Sequence, residues 1–184
     1  MSDQSNYHHR IASIHRELGI SNSYAQDRQL QVFEEAVSLV VAEHDANNDR
    51  QHRLIAEADN MWKQMKQDAA KDGLQLIMVS GFRSVEYQTG LIRRKLDQGK
   101  TIDEILKVLA APGFSEHHTG RAIDITSPDC PPCEERFEKT DAFAWLSQHA
   151  REYNFVMSFP RDNRHGFIYE PWHWAYHSAG EGFL

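Results

Sequence analysis

The strongest constraint on this chain is that two distant segments carry the makings of one metal site. Ser115-Glu116-His117-His118-Thr119-Gly120-Arg121-Ala122-Ile123-Asp124 offers imidazoles and a carboxylate, and Glu170-Pro171-Trp172-His173-Trp174 lies some fifty residues further on. A fold that uses both must bring them to one point. Two imidazoles and a carboxylate suit zinc, and three protein ligands leave one coordination position open, as in catalytic rather than structural sites. A spare glutamate beside the last ligand can take a proton from water and pass it to a departing amine. The combination reads as hydrolysis of an amide bond.

Eleven histidines make any single one weak evidence. His8, His9, His15, His44, His52 and His149 fall in segments read as helix or tail and are expected on the surface. His117 and His118 precede Thr119-Gly120, a tight turn, and then a strand bearing Asp124. The turn has to fold back for an imidazole to reach that strand, and Gly120 supplies the backbone freedom. By spacing alone either His117 or His118 can be the ligand. Glu170 and His173 are three apart, which on a straight strand would put them on opposite faces. Pro171 breaks that regularity and lets them converge, with Trp172 and Trp174 expected to pack around the site.

Composition narrows the partners. The chain has 184 residues, enough for one compact domain, with 40% hydrophobic and 26% charged residues. A net charge of −7 excludes a dense basic face for nucleic acid and any general attraction to anionic membranes. Arg93-Arg94-Lys95 reads as a solvated helix face. With no apolar run of signal-peptide or membrane-span length in the sequence, a cytoplasmic protein is expected. Cys130 and Cys133 form a Cys-Pro-Pro-Cys. A redox dithiol or half a zinc knuckle would need a second Cys pair or a thioredoxin-like context, so the pair reads as structural.

Periodicity predicts a helical stretch over residues 1–50, with an amphipathic helix at 29–43 through Leu30, Phe33, Val37, Val40 and Val41. A break at 45–49 precedes a second helix at 53–71, ended by Asp72-Gly73. Strands are expected at 74–79, 122–126, 155–159 and 166–169. Helices are expected at 85–97, 101–109 and 141–152. This mixed order favours an α+β fold with a small antiparallel sheet and flanking helices, plus extra N-terminal helices.

Ser115-x-His117-x-x-Gly120-x-Ala122-x-Asp124 followed by Glu170-x-Trp172-His173 resembles the signature of the D-alanyl-D-alanine carboxypeptidase family of zinc peptidases. Its wider superfamily includes D-Ala-D-Ala dipeptidases, phage endolysin peptidases and the hedgehog signalling domain. Ser80-Gly81-Phe82-Arg83-Ser84 with Gln88 is similar to the family's substrate-binding segment. The resemblance covers roughly residues 62–177, within a zinc peptidase core at 53–184. It implies a hedgehog-like fold with one catalytic zinc on His117, Asp124 and His173, and Glu170 as catalytic acid/base. It also implies that Arg83, Gln88 and Ser115 bind substrate, with Trp172 as a hydrophobic wall. Residues 1–50 fall outside it, and either cap the cleft or complete the core.

The implied substrates are peptidoglycan stem peptides or muropeptides ending in D-alanine. A cytoplasmic D,D-carboxypeptidase or D-Ala-D-Ala dipeptidase would attack new wall precursors. An L,D-carboxypeptidase trimming recycled tetrapeptides would return tripeptide, and is the expected reading. A wall-lytic endopeptidase would want export or a wall-binding module. A non-catalytic zinc-binding module would have no need of Glu170.

Overall fold

A computed structural model describes residues 3–45 and 49–178. Its helices are α1 (Asp3–Leu18), α2 (Tyr24–Asp27), α3 (Ala56–Lys71), α4 (Val85–Asp97), α5 (Ile102–Ile105) and α6 (Asp141–His149). Its strands are β1 (Val40–Asp45), β2 (Arg50–Leu54), β3 (Ile77–Ser80), β4 (Ala122–Thr126), β5 (Phe155–Met157) and β6 (His173–Tyr176). The last four form one antiparallel sheet in the order β3-β4-β6-β5, and β1 and β2 pair as a separate antiparallel ribbon. The expected α+β class and antiparallel sheet are found.

Helix α3 shows how the main core forms. Ala58, Trp62, Met65 and Ala69 recur at helical spacing and are completely buried. Each large side chain of that stripe contributes about 2 kcal/mol by leaving water. Gly73, at φ +79°, follows the end of the helix. The stripe packs with Ile123 and Ile125 of β4, Phe155, Leu146 and Trp174. Strand β4 is buried along its whole length because it is flanked by β3 and β6. A second core gathers Ile11 and Leu18 of α1, Tyr24, Val85 and Ile92 of α4, Ile105 and Phe114.

Four expectations need correction. Residues 29–43 form no helix: 29–39 are irregular and β1 begins at Val40. Val37 is fully exposed, and Val40 and Val41 also face solvent, so the apolar spacing buries no stripe. The backbone instead bonds outward, Phe33 N–H to Gly113 O (2.8 Å) and Ala36 N–H to His118 O (2.8 Å). Extended backbone suits β-branched Val32, Val37, Val40 and Val41.

The second helix starts at Ala56 rather than 53, because Arg53 and Leu54 pair with Val41 and Val40 in the β1–β2 ribbon. Residues 166–169 form no strand, and the closing strand is β6. Of the histidines expected at the surface, His52 is buried on β2. His15 is half-buried and donates from Nε2 to Pro112 O (2.8 Å). The expected break at 45–49 falls partly on residues 46–48, outside the described residues.

The remaining elements follow their capping residues. Ser84 accepts from Tyr87 N–H at the start of α4, Thr101 and Glu104 form a reciprocal capping box on α5, and Thr140 caps α6. Helix α6 gives way after His149 to a 3₁₀ turn, Ala150–Tyr153. Arg93 pairs with Glu17 of α1, so the basic cluster is partly neutralised. Cys130 is buried in the main core and Cys133 is exposed, both as free thiols.

Candidate metal centre and cleft

Antiparallel register creates the cluster. Asp124 of β4 lies directly opposite His173 of β6, so their side chains leave the same face of adjacent strands. His117 stands on a 3₁₀ turn, Glu116–Thr119, that ends at Gly120 with φ +66°. A Cβ on Gly120 would also lie 2.7 Å from the Leu39 side chain. That turn delivers His117 Nε2 to 3.3 Å from Asp124 Oδ2, while His173 Nδ1 sits 3.0 Å from Asp124 Oδ1.

Each imidazole is oriented from outside. His117 Nδ1 faces Gly81 O at 2.7 Å, so it carries the proton and Nε2 keeps a lone pair. That Nε2 is buried with no hydrogen-bond partner. His173 Nε2 faces Glu116 Oε2 at 2.8 Å, which leaves Nδ1 for the cluster. Fixing the outer nitrogen to a carbonyl or carboxylate is how proteins aim metal-binding histidines.

The ligand atoms of His117, Asp124 and His173 lie within 4.8 Å of one another, and all three residues are buried. A tetrahedron with bonds of roughly 2.0 Å has edges of about 3.3 Å, which the two measured edges approach. The donors therefore fit zinc, and an orphaned inner nitrogen is what a ligand set would leave.

Electrostatics separates the two rings. Burial lowers the His117 pKa to about 4, with the Arg83 guanidinium adding to it. Burial also opposes charge on His173, but Asp124 and Glu116 on either side outweigh it and lift the pKa to about 10. For Asp124, burial is overcome by the imidazoles and Arg83, which hold its carboxyl well below the usual carboxylate range. A cation bound here would displace the His173 proton, so metal affinity falls as pH falls.

Glu170 is buried just before β6, and burial raises its pKa to about 7, with His173 pulling the other way. His173 N–H donates to Glu170 O (3.1 Å) across the Pro171-Trp172 turn, and both residues line one cleft. Arg83, Gln88 and Ser115 line it as well. Arg83 Nη2 donates to Asp124 Oδ2 (3.3 Å) and its buried Nε has no partner. Gln88 is fixed by donating to Ala110 O (2.8 Å).

Trp172 is the exception among the sequence-selected residues. Alternation along β6 points His173 into the cleft and sends its neighbours Trp172 and Trp174 into the main core. The apolar wall comes instead from Val108, Leu109, Phe159 and Phe167.

His118, indistinguishable from His117 by spacing, faces away. Its Nδ1 bonds Arg83 O (2.6 Å) and its Nε2 accepts from Gly113 N–H (3.0 Å). Glu116 escaped sequence reasoning because its partner His173 is 57 positions away. Its place next to a histidine ligand was the available signal.

Residues 51–179 match the VanY D-alanyl-D-alanine carboxypeptidase family. The chain belongs to that family. It is 33% identical to YodJ of Bacillus subtilis over 128 residues, covering 65% of this chain and 45% of YodJ. The structure of the LdcB LD-carboxypeptidase, which addresses peptidoglycan recognition, is 30% identical with a TM-score of 0.69, covering 77% of this chain and 69% of LdcB. VanYB in complex with D-alanine-D-alanine is 25% identical with a TM-score of 0.63, covering 82% and 83%. The chain spans about half the length, or less, of the curated relatives it matches.

Proposed function

We propose that this protein is a zinc carboxypeptidase that removes the C-terminal D-alanine from peptidoglycan stem peptides. The observation that carries this is the buried His117–Asp124–His173 cluster sharing a cleft with Glu170 and Arg83. Zinc on those three ligands would polarise the scissile carbonyl and acidify a bound water. Glu170, with a pKa brought close to neutrality, takes the proton from the attacking water and delivers it to the departing amine. Arg83, which lines the cleft, engages the anionic end of the peptide, where a guanidinium makes charge-assisted hydrogen bonds. Gln88 and Ser115 hold the same end. Phe159 and Phe167 give the terminal side chain an apolar surface.

Between the two bond types, we favour L,D-cleavage of tetrapeptides. Greater likeness to LdcB than to VanYB, in both identity and TM-score, supports it. The rival D,D reading on pentapeptides rests on VanYB and on Enterococcus relatives named D-alanyl-D-alanine carboxypeptidases. We place the activity in cytoplasmic murein recycling, where trimming tetrapeptides returns tripeptide without attacking precursors, and cell fractionation checks the compartment. Among the described residues no helix is long and apolar enough to cross a membrane.

Purified zinc-loaded protein incubated with tetrapeptide and pentapeptide, with products weighed by mass spectrometry, tests the proposal. Release of D-alanine from the tetrapeptide is expected. Release only from the pentapeptide would overturn the L,D choice, and cleavage of neither would overturn the carboxypeptidase.

A further inference from the structure

Phe167 forms part of the cleft wall, yet it belongs to a segment without regular structure. Local bonds hold some of that segment: Asn163 Nδ2 donates to Phe167 O (2.9 Å), and Ile168 N–H donates to Lys107 O (3.0 Å). The back of the Phe167 ring is covered by Arg28, whose guanidinium carbon lies 5.0 Å from the ring centroid. The same guanidinium lies 5.2 Å from the ring of Tyr24. Arg28 is therefore stacked between an aromatic of the N-terminal segment and an aromatic of the cleft.

Four further hydrogen bonds fix this arrangement. His165 Nδ1 donates to Arg28 O (2.8 Å) and Arg28 Nη1 donates to His165 O (3.4 Å), so each side chain bonds the other residue's backbone. Tyr24 is buried and its hydroxyl accepts from Ala111 N–H (3.1 Å), next to the cleft-lining Ala110. The turn carrying Arg28 is closed by Leu30 N–H to Ala25 O (2.9 Å) around Gln29 at φ +52°. Ring contacts continue inward, Phe167 to Phe159 at 4.8 Å and Phe159 to His173 at 4.9 Å. A continuous chain of ring contacts thus runs from residue 24 to a metal ligand, and it begins outside the family-matched residues 51–179.

We propose that Arg28 is a positioning residue for the substrate cleft, holding Phe167 against the space where the terminal side chain of the peptide packs. The N-terminal segment thereby sets the size limit for the residue released. The proposal rests on the carboxypeptidase reading for its substrate, but not for the contact itself. Arg28 touches neither substrate nor metal and acts through Phe167. Without it the ring loses the guanidinium over its face and the wall yields to larger side chains.

The test compares zinc-loaded wild type, Arg28→Ala and Arg28→Lys. Two quantities are measured: the ratio of kcat/KM for peptides ending in D-alanine and in D-leucine, and deuterium exchange in peptides covering residues 163–169. A stacked cation of this kind supports a change of roughly three- to tenfold. Arg28→Ala should lower the D-alanine preference by that factor, raise KM more than it lowers kcat, speed exchange at 163–169, and keep its zinc. Arg28→Lys should restore part of the preference.

Wild-type preference with wild-type exchange in Arg28→Ala would overturn the proposal. So would faster exchange with an unchanged preference, because Arg28 would then brace the loop without shaping the cleft. A wild type that cleaves neither peptide would sink the carboxypeptidase reading instead, and the exchange measurement would still decide whether Arg28 fixes Phe167.

Discussion

The two walls of the cleft are held by different means. On one side, Asp124 and His173 face each other across a hydrogen-bonded strand pair, and His117 is pinned to Gly81 O. On the other, Leu109 and Phe167 sit in irregular segments whose anchors lie elsewhere, at Tyr24, Arg28 and Lys107. The sheet wall is stiff because β4 is buried between two neighbours. The loop wall takes its shape from contacts that can be changed one at a time. Groups that do chemistry need the first arrangement, while groups that choose among substrates can sit on the second.

The largest test of this contrast is at the stiff wall. Glu170→Gln should lower kcat roughly 10³-fold, within the range general acid–base groups supply, with zinc retained by elemental analysis. His173→Ala should lose zinc and activity together. A zinc-free Glu170→Gln or a zinc-loaded His173→Ala would dissolve the division between ligand and proton carrier.

Next is acid stability. His118 has a folded pKa of about 4, lowered by burial, against the ordinary 6.5. Its neutral form is favoured in the fold, so its stabilisation is complete above about pH 6.5 and is lost as pH falls toward 4. Over that window the loss is roughly 3 kcal/mol. Urea unfolding of the wild type and His118→Gln at pH 7 and 4 should show the smaller decline in the variant.

Arg83→Ala should raise KM at least about tenfold, the scale of one charge-assisted contact, without loss of metal. Unchanged kinetics would remove Arg83 from the substrate side. The smallest effect is expected on the loop wall's outer brace. Gln29→Gly relieves a left-handed conformation and should stabilise the fold by about 0.5 kcal/mol in thermal unfolding, with no change in zinc content.

What could be read from the sequence follows the same contrast. The strand 122–126 and the helix 85–97 were legible to the residue, because a glycine turn and a capping serine mark their starts. Proximity of His117, Asp124 and His173 followed from the family resemblance, because spacing alone leaves His117 and His118 open. Residues 29–43 were misread because their hydrogen-bond partners, Gly113 and His118, lie some eighty positions away. The strand expected at 166–169 is an apolar run, Phe167-Ile168-Tyr169, that pairs with no strand among the described residues. Trp172 was assigned to the cleft because its position in the chain is next to His173, when alternation places the two on opposite faces. Local signals served where an element is self-contained, and failed where a distant partner decides.

The pairing of Asp124 with His173 also governs when the metal site can first form. A nascent chain that has emerged from the ribosome only as far as β4 owns one imidazole and one carboxylate, too few for a firm grip on a cation. The third ligand joins in a single step, as the partner strand docks.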